Sequence, residues 1–264
     1  MTDALYTLDD SLWFEWVELS ETDSTNNFLK NYHPIESKEM TLVTATYQSA
    51  GRGQQGNSWE SEKGKNLLFS LRIHPRMIEA NRQFILSQAI SLAICSTLSL
   101  YTEDISIKWP NDIYWKDKKI GGILIENTLT GKQIDTCIIG AGINVNQETF
   151  TSDAPNPISL IQIIKKETEL TFILAEIVKR FKEYLAQIKS HNTDEIVRFY
   201  ADALYRRNGY HAYSDANGSF EAKITTTQPS GHLVLTDREG RERTYAFKEV
   251  RFIIPNGTNK TIEL

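Results

Sequence analysis

Two adjacent glycines inside an apolar, strand-forming run constrain this chain more than any other feature. Lys119-Ile120-Gly121-Gly122-Ile123 follows Lys108-Trp109-Pro110-Asn111-Asp112, with the short apolar stretch Ile113 to Trp115 and the polar turn Lys116 to Lys119 between them. The order reads as the end of one strand, a tight turn, a short strand, a second turn and a longer apolar strand. Pro110 fixes its own φ, and Asn111-Asp112 favour turn geometry. Glycine weakens a strand, so a pair implies that a ligand or another backbone comes very close. Lys119, two residues ahead of that gap, is placed to put its ammonium on whatever lies there. A β-meander with solvated lysines and a glycine bulge accounts for the same residues, so other stretches must decide.

Three of them bear on the choice. Trp13 to Leu19 is a strand candidate. It leads to Glu21-Thr22-Asp23-Ser24-Thr25-Asn26-Asn27 and then to Phe28, Leu29 and Tyr32 at helical spacing. Ser24 or Thr25 is placed to N-cap that helix with its hydroxyl; the same hydroxyls and amides could instead grip a polar ligand head. Thr41 to Gln48 is an alternating, β-branched strand that runs into Ser49-Ala50-Gly51-Arg52-Gly53-Gln54-Gln55-Gly56-Asn57-Ser58-Trp59. This composition predicts a mobile, solvated loop whose amides can approach phosphate oxygens, with Arg52 adding an ionic contact. It also fits a bare GxGxxG pattern, but no helix follows, so neither the dinucleotide nor the P-loop context is met. Trp59 is a costly residue to leave at the end of such a loop unless its ring stacks on something. Finally, the buried strand Thr136 to Gly140 ends in Gly140-Ala141-Gly142-Ile143-Asn144, a second signal of close backbone approach. Asn144 there is either a turn former or a ligand contact.

The remaining segments frame these stretches. Asn66 to Ile73 is a strand, and Arg82 to Tyr101 is apolar nearly all round, which predicts a buried helix across the sheet. Ile158 to Lys165, Phe172 to Ile188 and Glu195 to Arg207 read as helices, the last with Arg206-Arg207 at its C-terminus and glycine just beyond. From Tyr210 the texture changes to short alternating strands, Phe220 to Thr225, His232 to Thr236, Thr244 to Phe247 and Val250 to Ile254, separated by Asp215-Ala216-Asn217-Gly218 and Asp237-Arg238-Glu239-Gly240. Such a unit is too small to be very stable alone and should pack on the main domain. The expected architecture is α+β: a mixed-sheet domain with helices over 1–208 and a small β-barrel domain over 209–264.

Composition excludes several classes. A formal charge of −5, mixed along the chain, gives no general attraction to nucleic acid or anionic membranes. No apolar run approaches the ~20 residues of a membrane span, and the acidic N-terminus lacks the pattern of a secretory signal. Cys95 and Cys137, each in an apolar segment, read as buried free thiols of a reducing, cytoplasmic compartment. The histidines are scattered, with no two at metal-ligand spacing.

Ser24-Thr25-Asn26, Gly51-Arg52-Gly53-x-x-Gly56 with Trp59, Lys108-Trp109-Pro110-Asn111-Asp112, Lys119-x-Gly-Gly122 and Gly140-Ala141-Gly142-Ile143-Asn144, in this order, resemble the biotin protein ligases over about residues 15 to 150. The β-rich tail resembles that family's SH3-like cap, and the sheet domain its class II synthetase-like fold. The resemblance implies a two-step reaction. Biotin's carboxylate attacks the α-phosphate of ATP, with magnesium on the phosphates, and a lysine of a biotin carboxyl carrier domain then takes the biotinyl group from the adenylate. It implies Lys119, Arg52, Lys108 and Asp112 as catalytic residues, with Asp112 orienting Lys119, accepting the incoming lysine's proton or serving only the turn. Ser24, Thr25, Asn26, Gln48, Gly51, Arg52, Lys119 and Gly122 would bind biotin. Arg52, Gln54, Trp59, Asn111 and Asn144 would bind ATP, and no protein group alone would hold a metal. Two departures stand out: Gln54 and Gln55 occupy places where the family often has arginines, which should weaken the grip on the adenylate, and the short segment before Ser24 implies a ligase without a DNA-binding domain. A weak or ligand-dependent homodimer has family precedent. Lipoate or octanoate transfer, and biotin binding without catalysis, are the alternatives.

Overall fold

The computed structural model describes residues 13–35, 38–152 and 154–254. The runs that alternate or are rich in β-branched residues form seven strands of one sheet: β1 (Phe14–Thr22), β2 (Met40–Gln48), β3 (Leu67–Ile73), β4 (Ile105–Lys108), β5 (Asp112–Trp115), β6 (Lys118–Thr130) and β7 (Gln133–Ile143). Their order across the sheet is β1-β2-β3-β7-β6-β5-β4. Only β1 and β2 run parallel; the other neighbours are antiparallel. A parallel pair needs a crossover, and α1 (Thr25–Asn31) lies on it. The mixed sheet is the one expected.

Helices α2 (Phe84–Leu98), α3 (Leu160–Ile164), α4 (Leu170–Lys189) and α5 (Asp194–Asp202) follow. All but two residues of α2 are buried, because α4 and α5 pack on it while it shares a core with Phe69, Leu71, Ile123, Ile139 and Ala141 of the sheet. The opposite face of the sheet carries the alternate residues. Gly122, Leu124 and Glu126 of β6 stand beside Gly142, Gly140 and Ile138 of β7, and the last three beside Leu68, Ser70 and Arg72 of β3. α1 covers part of this face through Leu29, which packs with Val43 and Ile138. Arg72 donates to the Leu29 and Tyr32 carbonyls at 3.2 and 2.9 Å, closing the end of α1.

Two local expectations are corrected. Ser24 occupies the N-cap position of α1, but no side-chain cap bond forms there. The first-turn amide is met from β2 instead, where Gln48 Oε1 accepts from Thr25 N at 2.8 Å and Thr25 Oγ1 at 3.0 Å. The last helix stops at Asp202 rather than running to Arg207. The chain then extends the β4 edge: Ile107 N donates to Ala203 O at 2.8 Å, and Tyr205 N donates to Ile107 O at 2.9 Å. Arg206, at φ 60°, sends its guanidinium to the Ala212 and Ile253 carbonyls at 3.2 and 2.8 Å.

The second sheet holds β8 (His211–Asp215), β9 (Gly218–Thr227), β10 (Leu233–Asp237), β11 (Glu242–Tyr245) and β12 (Arg251–Phe252) in the order β11-β10-β9-β8-β12. Every pair is antiparallel, as an SH3-like unit requires. β8 is the strand that alternation did not reveal. Tyr213, Leu233, Leu235 and Val250 belong to the same apolar cluster as Phe84 and Trp109, and Trp109 Nε1 donates to Gly231 O at 2.9 Å. The smaller sheet therefore shares the core of the larger. Cys95 and Cys137 are buried free thiols, and burial pushes Cys95 up to about 12. Among the described residues no helix is long and apolar enough to cross a membrane.

Candidate active site

A bulge in β6 aims the lysine. Tyr114 of β5 pairs with Lys119 and Ile113 with Gly121, so Ile120 is the extra residue on β6. A bulge reverses the alternation on one side of itself, and Lys119 thereby joins the face of Gly122 rather than that of Gly121. Neighbouring segments fix the irregular backbone: Asn144 N donates to Ile120 O at 2.8 Å, and Lys119 N donates to Asn156 O at 2.8 Å. Lys119 Nζ lies 2.6 Å from Asp112 Oδ1. Lys108 Nζ lies 3.7 Å from the other oxygen of the same carboxylate. One aspartate at the start of β5 thus holds two ammonium groups, one from β4 and one from β6. Lys108 also sits over the rings of Tyr114 and Phe252, at 5.3 and 5.2 Å from their centroids. Burial pushes its pKa down; Asp112 opposes that, while Lys119 and Arg206 add to it.

These groups line a cleft of about 680 Å³ together with Ser24, Thr25, Asn26, Gln48, Arg52, Gln54, Trp59, Asn111 and Gly122. The sequence thus brings most of its singled-out residues to one place. The glycines along the cleft floor make room for the chain's own side chains. A Cβ at Gly122 would meet Trp59 Cζ3 at 3.1 Å and Lys119 Cε at 3.2 Å, and one at Gly142 would meet Trp59 Nε1 at 2.6 Å. A Cβ at Gly140 would meet Asn26 Cγ at 2.9 Å. The close approach read from both glycine pairs is real, and its occupants are Trp59, Lys119 and Asn26. Trp59 Nε1 is buried without a partner.

The glycine-rich stretch is folded back on itself as a hairpin, with Arg52, Gly56, Asn57 and Ser58 exposed. Arg52 bridges to Ser58, Gly53 N donates to Asn57 O at 2.6 Å, and Trp59 N donates to Gly51 O at 2.9 Å. A Cβ at Gly51 would strike Trp59 O at 2.6 Å, so glycine there is what lets the hairpin close. Glu60 anchors its base: it accepts from Thr151 N and Ser152 N, each at 2.8 Å. Burial opposes the charge on Glu60, but hydrogen bonds from the Ser152 hydroxyl, from these two amides and from the Thr151 hydroxyl prevail and hold its pKa at about 2.

At the polar end of the cleft, Ser70 Oγ lies 2.7 Å from both Thr25 Oγ1 and Asn26 Oδ1. Asn26 Nδ2 donates to Glu126 Oε2 at 2.9 Å. Arg52 does not offer a free charge. Its Nη1 donates to Asn27 Oδ1 at 2.6 Å, and its Nη2 donates to Glu126 Oε1 at 2.9 Å. Two other residues expected at the nucleotide direct their amide donors inward. Asn111 Nδ2 donates to the Ile123 carbonyl and so ties the turn to β6. Asn144 lies outside the cleft lining, with Nδ2 on Ile158 O at 3.1 Å and a buried, unpartnered Oδ1.

Sequence reasoning missed a whole wall. Phe247, Lys248 and Val250 from the turn after β11, and Arg251 and Phe252 of β12, line the cleft, as do Pro155 and Asn156. Their signal in the sequence is slight, since they come from turns and a two-residue strand. Among the described residues no group of three His, Cys, Asp or Glu side chains could hold a metal ion.

Fold and cleft together define an α+β protein with a mixed sheet, an SH3-like companion sheet and a cleft that pairs a polar end with two ammonium groups. Residues 19–144 match the profile described as the Biotin/lipoate A/B protein ligase family, and the chain carries a domain of that family there. It is 29% identical over 236 residues to the Bifunctional ligase/repressor BirA of Bacillus subtilis (strain 168), across 86% of this chain and 70% of that protein. With the protein of the same name from Escherichia coli (strain K12) it shares 40% identity over 127 residues, which are 47% of this chain and 38% of that one. The solved structure of the biotin protein ligase from Aquifex aeolicus in complex with biotin and ATP superposes with a TM-score of 0.75 at 26% identity, covering 90% of this chain and 99% of that one.

Proposed function

We propose that this protein is a biotin–[biotin carboxyl-carrier protein] ligase acting in the cytoplasm, which forms biotinyl-5′-AMP from biotin and ATP and passes the biotinyl group to a carrier lysine. The carrying observation is the Asp112 carboxylate with Lys119 and Lys108 on its two oxygens, in a cleft whose other end is lined by Ser24, Thr25, Asn26 and Gln48. The reaction joins two anions, so positive charge fixed beside the developing negative oxygens is the main requirement.

In the first step a biotin carboxylate oxygen bonds to the α-phosphorus, and the bond from that phosphorus to the bridging oxygen of the β-phosphate breaks, releasing pyrophosphate. Lys119 supplies charge where carboxylate and phosphate meet, and the 2.6 Å contact with Asp112 supports Asp112 as the residue that orients it. Lys108, confined by two rings, adds to the field. In the second step the neutral carrier amine attacks the acyl carbon, AMP leaves with the bonding pair, and the attacking nitrogen gives up one proton to solvent. Magnesium would supply neutralising charge on the nucleotide phosphates, which would themselves hold it. Gln48, with its acceptor already spent on α1, still has an amide to donate to the ureido group, and Trp59 is the ring available to stack on adenine. In this reading residues 1–208 form the catalytic domain, and 209–264 the SH3-like domain that walls it.

The test is incubation with biotin, ATP, magnesium and a carrier domain, followed by intact mass. A carrier heavier by one biotinyl group supports the reading. Labelling with lipoate in preference to biotin would assign the lipoate branch of the family. Binding of biotin without pyrophosphate release would reduce the protein to a biotin-binding module.

A further inference from the structure

We propose that Glu126 is the positioning residue that holds the glycine-rich loop over the polar end of the cleft, by gripping Arg52 and Asn26 at once. The proposal rests on the ligase reading for its ligand, but its geometry stands apart from that reading. Glu126 lies on the cleft face of β6, four residues beyond Gly122, where alternation places it beside Ile138. Its Oε1 accepts from Arg52 Nη2 at 2.9 Å and from Lys30 Nζ at 2.7 Å; its Oε2 accepts from Asn26 Nδ2 at 2.9 Å. Arg52 Nη1 lies 3.4 Å from Oε2, which completes a two-pronged contact. One carboxylate therefore ties together the loop, α1 and β6, which are 74 and 100 residues apart in the pairs concerned.

An ordinary surface ion pair would contribute little. This one differs because Asn26 is 2% exposed, its Oδ1 is committed to Ser70, and its Nδ2 has besides Glu126 only the Leu124 carbonyl at 3.3 Å. Which way the Asn26 amide faces is thus set by Glu126 and Ser70 acting on its two ends. Burial works against the Glu126 charge, but hydrogen bonds from Lys30, Asn26 and Arg52 outweigh it and keep the carboxyl below its ordinary range. The arrangement also gives Arg52 a task other than neutralising phosphate: its charge is matched by Glu126, and it acts as a staple between the loop and the start of α1. Glu126 touches no reacting atom; it acts through Asn26 and the loop backbone.

Glu126→Gln keeps the shape and removes the charge. Two readouts separate positioning from general stability. In the ligand-free protein, trypsin cleavage after Arg52, followed by mass spectrometry, should accelerate at least fivefold, while cleavage at lysines remote from the loop and the melting midpoint stay unchanged. Biotin affinity by calorimetry should fall by about tenfold, the loss of one charge-assisted hydrogen bond, with KM for ATP unchanged. Equal cleavage after Arg52 in both proteins would overturn the proposal. So would a rise in KM for ATP with biotin affinity intact, which would return Arg52 to the phosphates. If Glu126→Gln does not fold, Glu126→Asp keeps the charge, shortens the reach and is judged by the same two readouts. A wild-type protein that binds no biotin would sink the ligase reading, while the cleavage readout would still decide the role of Glu126.

Discussion

Lys119 and Glu60 are two ionised groups with opposite kinds of duty. Lys119 faces the cleft, and its environment is arranged around its ammonium, with Asp112 at 2.6 Å and the Trp59 ring centroid at 5.7 Å. Lys119→Met keeps the length and removes the charge; pyrophosphate release should slow by about 10²–10³, the cost of losing one preorganised charge contact, with the melting midpoint nearly unmoved. Glu60 serves the fold. Its pKa falls from 4.5 to about 2 on folding, so the stability it contributes is complete above the unfolded value and disappears as pH falls through the folded one. Thermal midpoints of wild type and Glu60→Gln should differ at neutral pH and converge as the pH is taken from 4.5 toward 2. Residues like Lys119 were legible because the chemistry of an ammonium beside a glycine gap is local in sequence. Glu126 was not: its meaning depends on Asn26 and Arg52, which only pairing across the sheet brings to it.

The elements that matter most are the bulged strand β6 and the hairpin at 51–59. Their existence could be read from glycine placement, but the identity of what fills the gaps could not, because a glycine announces an approach without naming the visitor. Gly142→Ala would put a methyl within 2.6 Å of Trp59 Nε1. Overpacking of this kind costs about 1–3 kcal/mol, and here the indole is what must move. The variant should show altered tryptophan fluorescence and weakened ATP binding, while biotin binding at the other end of the cleft persists. Within the hairpin, Gln54→Arg adds a guanidinium near the bound intermediate and should slow release of biotinyl-5′-AMP, measured by trapping the free adenylate. Equal release from both proteins would count against a phosphate-facing position 54. The cap at α1 shows where local propensity stops short: Ser24 has the right type and place, yet its side chain makes no cap bond, and the contact from β2 goes to the amide of Thr25, one residue ahead of those an N-cap serves. The final helix was overextended for a similar reason, since Leu204 gains a strand-like partner in Ile107 that no periodicity can foretell.

For the whole molecule, the change of texture near residue 210 correctly announced a second sheet, while its contribution to the cleft was invisible in sequence. That contribution depends on Trp109, 3% exposed, whose ring packs near Phe247 at 6.4 Å and whose Nε1 reaches Gly231. Trp109→Ala should cost about 3–5 kcal/mol. Because both sheets share one apolar cluster, urea unfolding followed by far-ultraviolet circular dichroism and by tryptophan emission should shift together. Trp109 is also the immediate neighbour of Lys108 in the chain. A single peptide bond thus joins the residue on which the companion sheet rests to one of the two ammonium groups of the cleft. Damage in that sheet should therefore register in the chemical step as well as in the melting midpoint.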